Sequence, residues 1–136
     1  MKEYVLDANA LVRLFRNAPG ADTVDDLIRR ARLGHAHLSI SVVNLTEVIY
    51  ILARYFGPEK SLMCVDKARR VAEAISVDES IAIDTGILNS RYKLGLADCF
   101  AAELALRTGA TLVTADPEFA KLGKRLKILA LPRHAQ

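Results

Sequence analysis

No stretch of this sequence approaches the roughly 18 uninterrupted apolar residues that a membrane-spanning helix requires, although 51% of its 136 residues are hydrophobic. A secretory leader is not legible either. The N-terminus carries one Lys, and Glu3 and Asp7 fall where the apolar core of a signal peptide would lie, so a cytoplasmic protein with no membrane partner is expected. Cysteine is scarce. Cys64 and Cys99 are the only two and lack Cys-x-x-Cys spacing, which argues against a redox motif or a zinc site and leaves them as small buried side chains in helices. None of the three histidines, His35, His37 and His134, has a partner at metal-ligand spacing. Internal repeats and low-complexity linkers are missing too. At 136 residues the chain suffices for one ordinary domain but not for two, so residues 1–136 are read as one.

What is present is an alternation of strand-like and helix-like segments. Tyr4-Val5-Leu6 is a β-favouring run that stops at Asp7, and Leu11, Val12 and Phe15 then follow at helical spacing. A helix over 8–17 leads to a turn at Asn17-Ala18-Pro19-Gly20. A second helix is predicted from an Asp22 cap to about Leu33, with Val24, Leu27, Ile28 and Ala31 inward and Gly34 ending it. Residues 37–41 alternate as a strand. The clearest helix covers 42–56, where Leu45, Val48, Ile49, Leu52 and Phe56 keep helical period. Gly57-Pro58 breaks it and starts another helix to about Ile75, with Leu62, Val65, Ala68, Ala72 and Ile75 facing inward and Ser76-Val77 left as a very short strand. Asp78 or Ser80 opens a helix to about Tyr92, and a helix over 97–107 buries Phe100, Ala101, Leu104 and Ala105 before Gly109. Strands follow at 111–114 and, at an edge, 127–129, with a short turn through Phe119 between them. This order predicts an α/β fold, a three-layer α/β/α sandwich around a mainly parallel sheet.

Four acids stand at strand ends or helix beginnings. Asp7 and Asp116 directly follow strands, Asp98 follows Gly95-Leu96-Ala97 at a helix start, and Glu47 lies one turn into its helix. In a doubly wound sheet these positions share the carboxyl edge, where ligands bind. Each aspartate alone is explained by helix capping, and Asp116 before Pro117 also by turn initiation. Glu47 is too deep in its helix to cap it, and among Leu45, Val48 and Ile49 it needs a partner or a metal. Two carboxylates about 4 Å apart repel by about 4 kcal/mol at an effective dielectric near 20. A hard divalent cation resolves that repulsion, and an all-oxygen donor set without His or Cys suits Mg²⁺ or Mn²⁺. The chemistry this opens is metal-assisted phosphodiester hydrolysis.

The charge distribution agrees. The net charge is only +3, but without those four acids 19 basic residues face 12 acidic ones. A positive surface around a small acidic centre suits a polyanionic substrate, and the ordinary positive bias of a soluble protein accounts for the same count.

The segments Leu6-Asp7-Ala8-Asn9, Asn44-Leu45-Thr46-Glu47-Val48, Leu96-Ala97-Asp98-Cys99-Phe100-Ala101-Ala102 and Gly109 through Phe119 together resemble the PIN-domain ribonucleases, and among them the VapC-type toxins of toxin-antitoxin pairs. The resemblance runs in family order over nearly the whole chain. It implies a PIN fold with a five-stranded sheet in the order 3-2-1-4-5 and Mg²⁺- or Mn²⁺-dependent cleavage of RNA. It assigns Asp7, Glu47, Asp98 and Asp116 as the metal-binding, catalytic quartet, and Asn9 and Thr114 as polar supports hydrogen-bonded to it. The chain departs from the pattern at Cys99, which puts little in doubt, and at Ala115, where Asn is frequent in relatives and an amide supporting Asp116 is lost. Arg13, Arg16 and Arg91 are candidates for RNA phosphate contacts, although a solvated helix face is the favoured reading of each. As a toxin the protein is expected to have an antitoxin partner and to form a homodimer, for which Leu27, Ile28, Leu62 and Val65 are apolar candidates if they are not core. The alternatives are a stand-alone RNA-processing or decay nuclease and a PIN-like RNA- or protein-binding module. An aspartyl phosphotransfer domain ranks last, because Asp7-Ala8-Asn9 lacks a second Asp two residues on.

Overall fold

Five short strands pair into one sheet in the computed structural model, which describes residues 1–134; the last two residues of the expected 1–136 domain lie outside the described residues. The strands are β1 (Lys2–Leu6), β2 (Ala36–Ser41), β3 (Ala72–Ile75), β4 (Thr111–Thr114) and β5 (Ile128–Ala130). All are parallel, in the order β3-β2-β1-β4-β5. Six helices are interleaved: α1 (Ala8–Arg16), α2 (Ala21–Arg32), α3 (Val42–Phe56), α4 (Pro58–Arg69), α5 (Glu79–Arg91) and α6 (Leu96–Thr108). A 3-10 segment over Pro117–Arg125, kinked at Gly123, precedes β5.

The pleat of β1 divides the core. Tyr4 and Leu6 point into a cluster with Leu11, Val24, Leu27, Leu38, Ile40, Val48, Leu52 and Val65, under α1 to α4. Val5 joins Leu88, Cys99, Ala101, Leu112 and Phe119 on the side of α5 and α6. Truncating a fully buried leucine of either cluster to Ala costs about 2–5 kcal/mol. Because β1 pairs with both β2 and β4, the chain reverses its winding there. That switch point leaves a crevice at the carboxyl ends of β1 and β4. No helix among the described residues is long and apolar enough to cross a membrane.

Several details differ from the sequence-based expectation. The helix from Pro58 ends at Arg69, and Ala72–Ile75 is strand β3 rather than helix. Val71 to Ile75 carries only small or β-tolerant side chains around Glu73, and pairing Leu38 with Ala72 and Ile40 with Ala74 satisfies its backbone at the edge of β2. That tertiary gain is invisible to periodicity, and Ser76-Val77 is consequently not a strand. The buried stripe of α4 is also turned: Ser61 is buried and its hydroxyl donates to Ile49 O at 2.7 Å, while Leu62 is exposed. Asp22 does not cap α2; Gly20 does, with a left-handed φ of 93° and Leu131 packed so close that a Cβ would stand 3.0 Å from it. Phe100 is only half-buried, and Leu27, Ile28 and Val65 are core.

Candidate metal centre

The end of β1 and the start of α1 are joined by Asp7, whose extended backbone makes it the N-cap. Its Oδ1 accepts the Ala10 N–H at 2.8 Å, and its Oδ2 accepts the Thr114 hydroxyl at the end of β4. Thr114 Oγ1 in turn accepts the Asp116 N–H at 3.0 Å, and Asp116 caps the 3-10 segment through Glu118 N at 2.9 Å. One threonine thus ties together two of the four acids. Asp98 sits in the first turn of α6 and reaches back to the Gly95 N–H, as a capping box does. A Cβ on Gly95 would stand 3.3 Å from Asp98 Oδ2. Capping and convergence are therefore not rival explanations, since Asp7 and Asp116 do both, while the cap position of α6 belongs to Gly95 rather than Asp98.

Glu47, which caps nothing, is half-buried in α3 and has the partner its position demands. Asn44, one turn earlier and 1% exposed, donates from Nδ2 to Glu47 Oε1 and to Ala97 O of α6, both at 3.1 Å. Because both neighbours are acceptors, the orientation of this amide is fixed. Its Oδ1 is buried with no hydrogen-bond partner among the described residues, a loss of about 1–3 kcal/mol.

All four acids line one cleft of about 340 Å³ at the carboxyl edge of the sheet. Burial pushes Asp7 up to about 7, and the charges of Asp98 and Asp116 add to the rise, against the opposing hydrogen bonds from Thr114 and Ala10. Burial also pushes Asp98 up to about 6, with contributions from the charges of Asp116, Glu47 and Glu118. The charges of Asp98 and Asp116 therefore reach Asp7 across the cleft, and those of Asp116 and Glu47 reach Asp98. Among the described residues no three His, Cys, Asp or Glu side chains already close around a metal position, an open arrangement that mutual repulsion favours. The donor set fits a hard divalent cation: it consists of carboxylate oxygens with no nitrogen or sulfur, two of them destabilised as anions, facing a cleft with space for water and phosphate oxygens.

The polar surroundings match the sequence reading unevenly. Thr114 bonds directly to Asp7. Asn9 lines the cleft, but its Oδ1 accepts Arg13 Nε at 2.8 Å rather than supporting a carboxylate. Arg13 also lines the cleft while its Nη1 donates to Pro19 O and Pro132 O, stapling α1 to the turn that follows it and to the C-terminal segment. Arg16 lies flat on Tyr55, 3.6 Å from the ring centroid, and Arg91 is exposed at the end of α5; neither lines the cleft. Arg133 does line it. No local pattern in the sequence signals that residue, because only the fold brings it to the centre. Asn44 and Gly95 were detectable, the first by its i, i+3 spacing to Glu47 and the second by its capping offset from Asp98.

The family model for the PIN domain matches residues 4–125. Comparison with curated proteins gives no match. Among solved structures, VapBC2 from Rickettsia felis bound to a DNA fragment from their promoter is 22% identical with a TM-score of 0.75, over 96% of this chain and 99% of that one. DNA-bound VapBC from Salmonella typhimurium is 23% identical with a TM-score of 0.74, over 96% and 98%. A toxin-antitoxin complex from Klebsiella pneumoniae is 21% identical with a TM-score of 0.67, over 93% and 96%.

Proposed function

This chain belongs to the PIN-domain family, and from that premise we propose that it is a Mg²⁺- or Mn²⁺-dependent endoribonuclease, the VapC-type toxin of a type II toxin-antitoxin pair, folded as one domain. The observation that carries the reading is the meeting of Asp7, Glu47, Asp98 and Asp116, from four separate parts of the chain, in one cleft at the sheet's switch point. These four residues would hold the metal. When bound, the metal supplies Lewis-acid activation of water and neutralises charge developing on the phosphodiester.

The protein's own groups do the positioning. Thr114 and the Ala10 N–H hold both oxygens of Asp7, so this carboxylate has one orientation. Thr114 passes that constraint on to Asp116 through its N–H. The Gly95 N–H holds Asp98, and Asn44 holds one oxygen of Glu47. Arg13 and Arg133 place positive charge at the rim of an otherwise acidic cleft, where a phosphate backbone needs it. An antitoxin protein and a second copy of the chain are the partners expected of such a toxin, and the structural likeness to toxin-antitoxin complexes supports the first.

The test is cleavage of a labelled single-stranded RNA by purified protein. Cleavage in Mg²⁺ or Mn²⁺, none in EDTA, and loss in Asp7→Asn are expected. Metal-independent cleavage, or full activity in Asp7→Asn, overturns the assignment. Binding of RNA without cleavage in either metal favours a binding module instead.

A further inference from the structure

Asn44 stands where an apolar residue is expected. It is 1% exposed in the first turn of α3, with Val48 and Leu52 following on the buried face of the same helix. Its amide is poorly used as a stabilising group, since Oδ1 is buried without a partner among the described residues. What the amide does accomplish is a three-way contact. Nδ2 donates to Glu47 Oε1 on its own helix and to Ala97 O on α6, next to Asp98.

Glu47 and Asp98 face the same cleft. Like charges on the two helices repel across it. Asn44 bridges the first turns of those two helices at that point.

Resting on the metal-centre reading above, we propose that Asn44 is a positioning residue that sets the separation and orientation of Glu47 and Asp98 for metal binding. A neutral amide is the group suited to this. It donates two bonds to acceptors while adding no charge of its own, whereas a Lys or Arg would neutralise the carboxylate that the metal needs. The second oxygen of Glu47 is not engaged by Asn44 and stays available to the cleft. The unpartnered Oδ1 makes the proposal separable from a role in stability. Leucine has nearly the shape of asparagine, removes both donors, and also removes the orphaned acceptor.

The test compares wild type, Asn44→Leu and Asn44→Ser for thermal stability in EDTA and for Mn²⁺ affinity by calorimetry. For Asn44→Leu the melting temperature in EDTA is expected to equal or exceed that of wild type. Mn²⁺ affinity should fall by about 10-fold, the size typical of losing a group that orients a metal ligand. With RNA as substrate, kcat should fall while KM stays within about twofold. If Asn44→Leu folds and binds Mn²⁺ within twofold of wild type, the proposal is wrong; if it does not fold, Asn44→Ser is judged by the same criterion. A merely structural role predicts the reverse pattern, lowered stability with unchanged metal affinity. Failure of wild type itself to bind Mn²⁺ overturns the metal-centre reading, and this inference with it.

Discussion

Replacing Asp7 by Asn should stabilise the metal-free protein at neutral pH. Asp7 is 3% exposed and its pKa is raised from 3.8 to about 7, mainly by burial. With the folded pKa above the unfolded one, the native state binds more protons than the unfolded chain between those two values. Stability is therefore greatest below the unfolded value of about 4 and falls as pH rises towards the folded value of about 7. At about 1.36 kcal/mol per unit the full penalty is about 4 kcal/mol. An asparagine carries no such penalty and still accepts the Ala10 N–H. It loses the bond that Thr114 donates to Oδ2, returning about 1–2 kcal/mol. The net expectation is a gain of about 2–3 kcal/mol near pH 7.5, or roughly 5–10 °C in melting temperature. The assay is urea unfolding in EDTA at several pH values, with the difference shrinking to under about 1 kcal/mol near pH 4. A variant less stable than wild type at neutral pH, or a difference independent of pH, refutes the reasoning.

Thr114→Val should destabilise the fold by about 1–3 kcal/mol, because it leaves a buried Asp7 oxygen and the Asp116 N–H unpaired. With that lowering hydrogen bond gone the Asp7 pKa rises further, so the acid limb of the pH–rate profile should move to higher pH. Gly95→Ala brings a Cβ to 3.3 Å from Asp98 Oδ2; RNA cleavage should fall at least several-fold, with a stability change under about 1 kcal/mol by urea titration. Mn²⁺ at about 100 times its dissociation constant should add about 2.7 kcal/mol to wild-type stability, and a thermal-shift series should show that gain vanish in Asp98→Asn.

The strand-then-carboxylate pattern at Asp7 and Asp116 was legible because a strand end and a helix cap are local events, encoded within a few residues. The regular period of α3 likewise placed Glu47 away from any cap and demanded a partner, which Asn44 turned out to be. What local reading missed depends on distant pairing. β3 is locally indistinguishable from the end of a helix, since Ala72 and Ile75 fit either period and only the edge of β2 separates the two. The solvated helix face open to Arg13 in the sequence is not where it lies: Arg13 lines the cleft, and Pro132, 119 residues away, engages its guanidinium. Arg133 reaches the cleft for the same reason in reverse, carried there by the strand that precedes it.

Asp7 is an ambiguous place to test the centre, because changing it also alters stability. Glu47 is cleaner: it caps no helix, and its removal leaves the Asn44 bond to Ala97 in place. The decisive measurement is cleavage of single-stranded RNA in Mg²⁺ or Mn²⁺ by Glu47→Gln beside wild type, with melting temperatures recorded on the same samples. Loss of at least about 100-fold in kcat at unchanged melting temperature is the predicted result. Wild-type cleavage by a folded Glu47→Gln protein contradicts the acidic quartet as the metal centre.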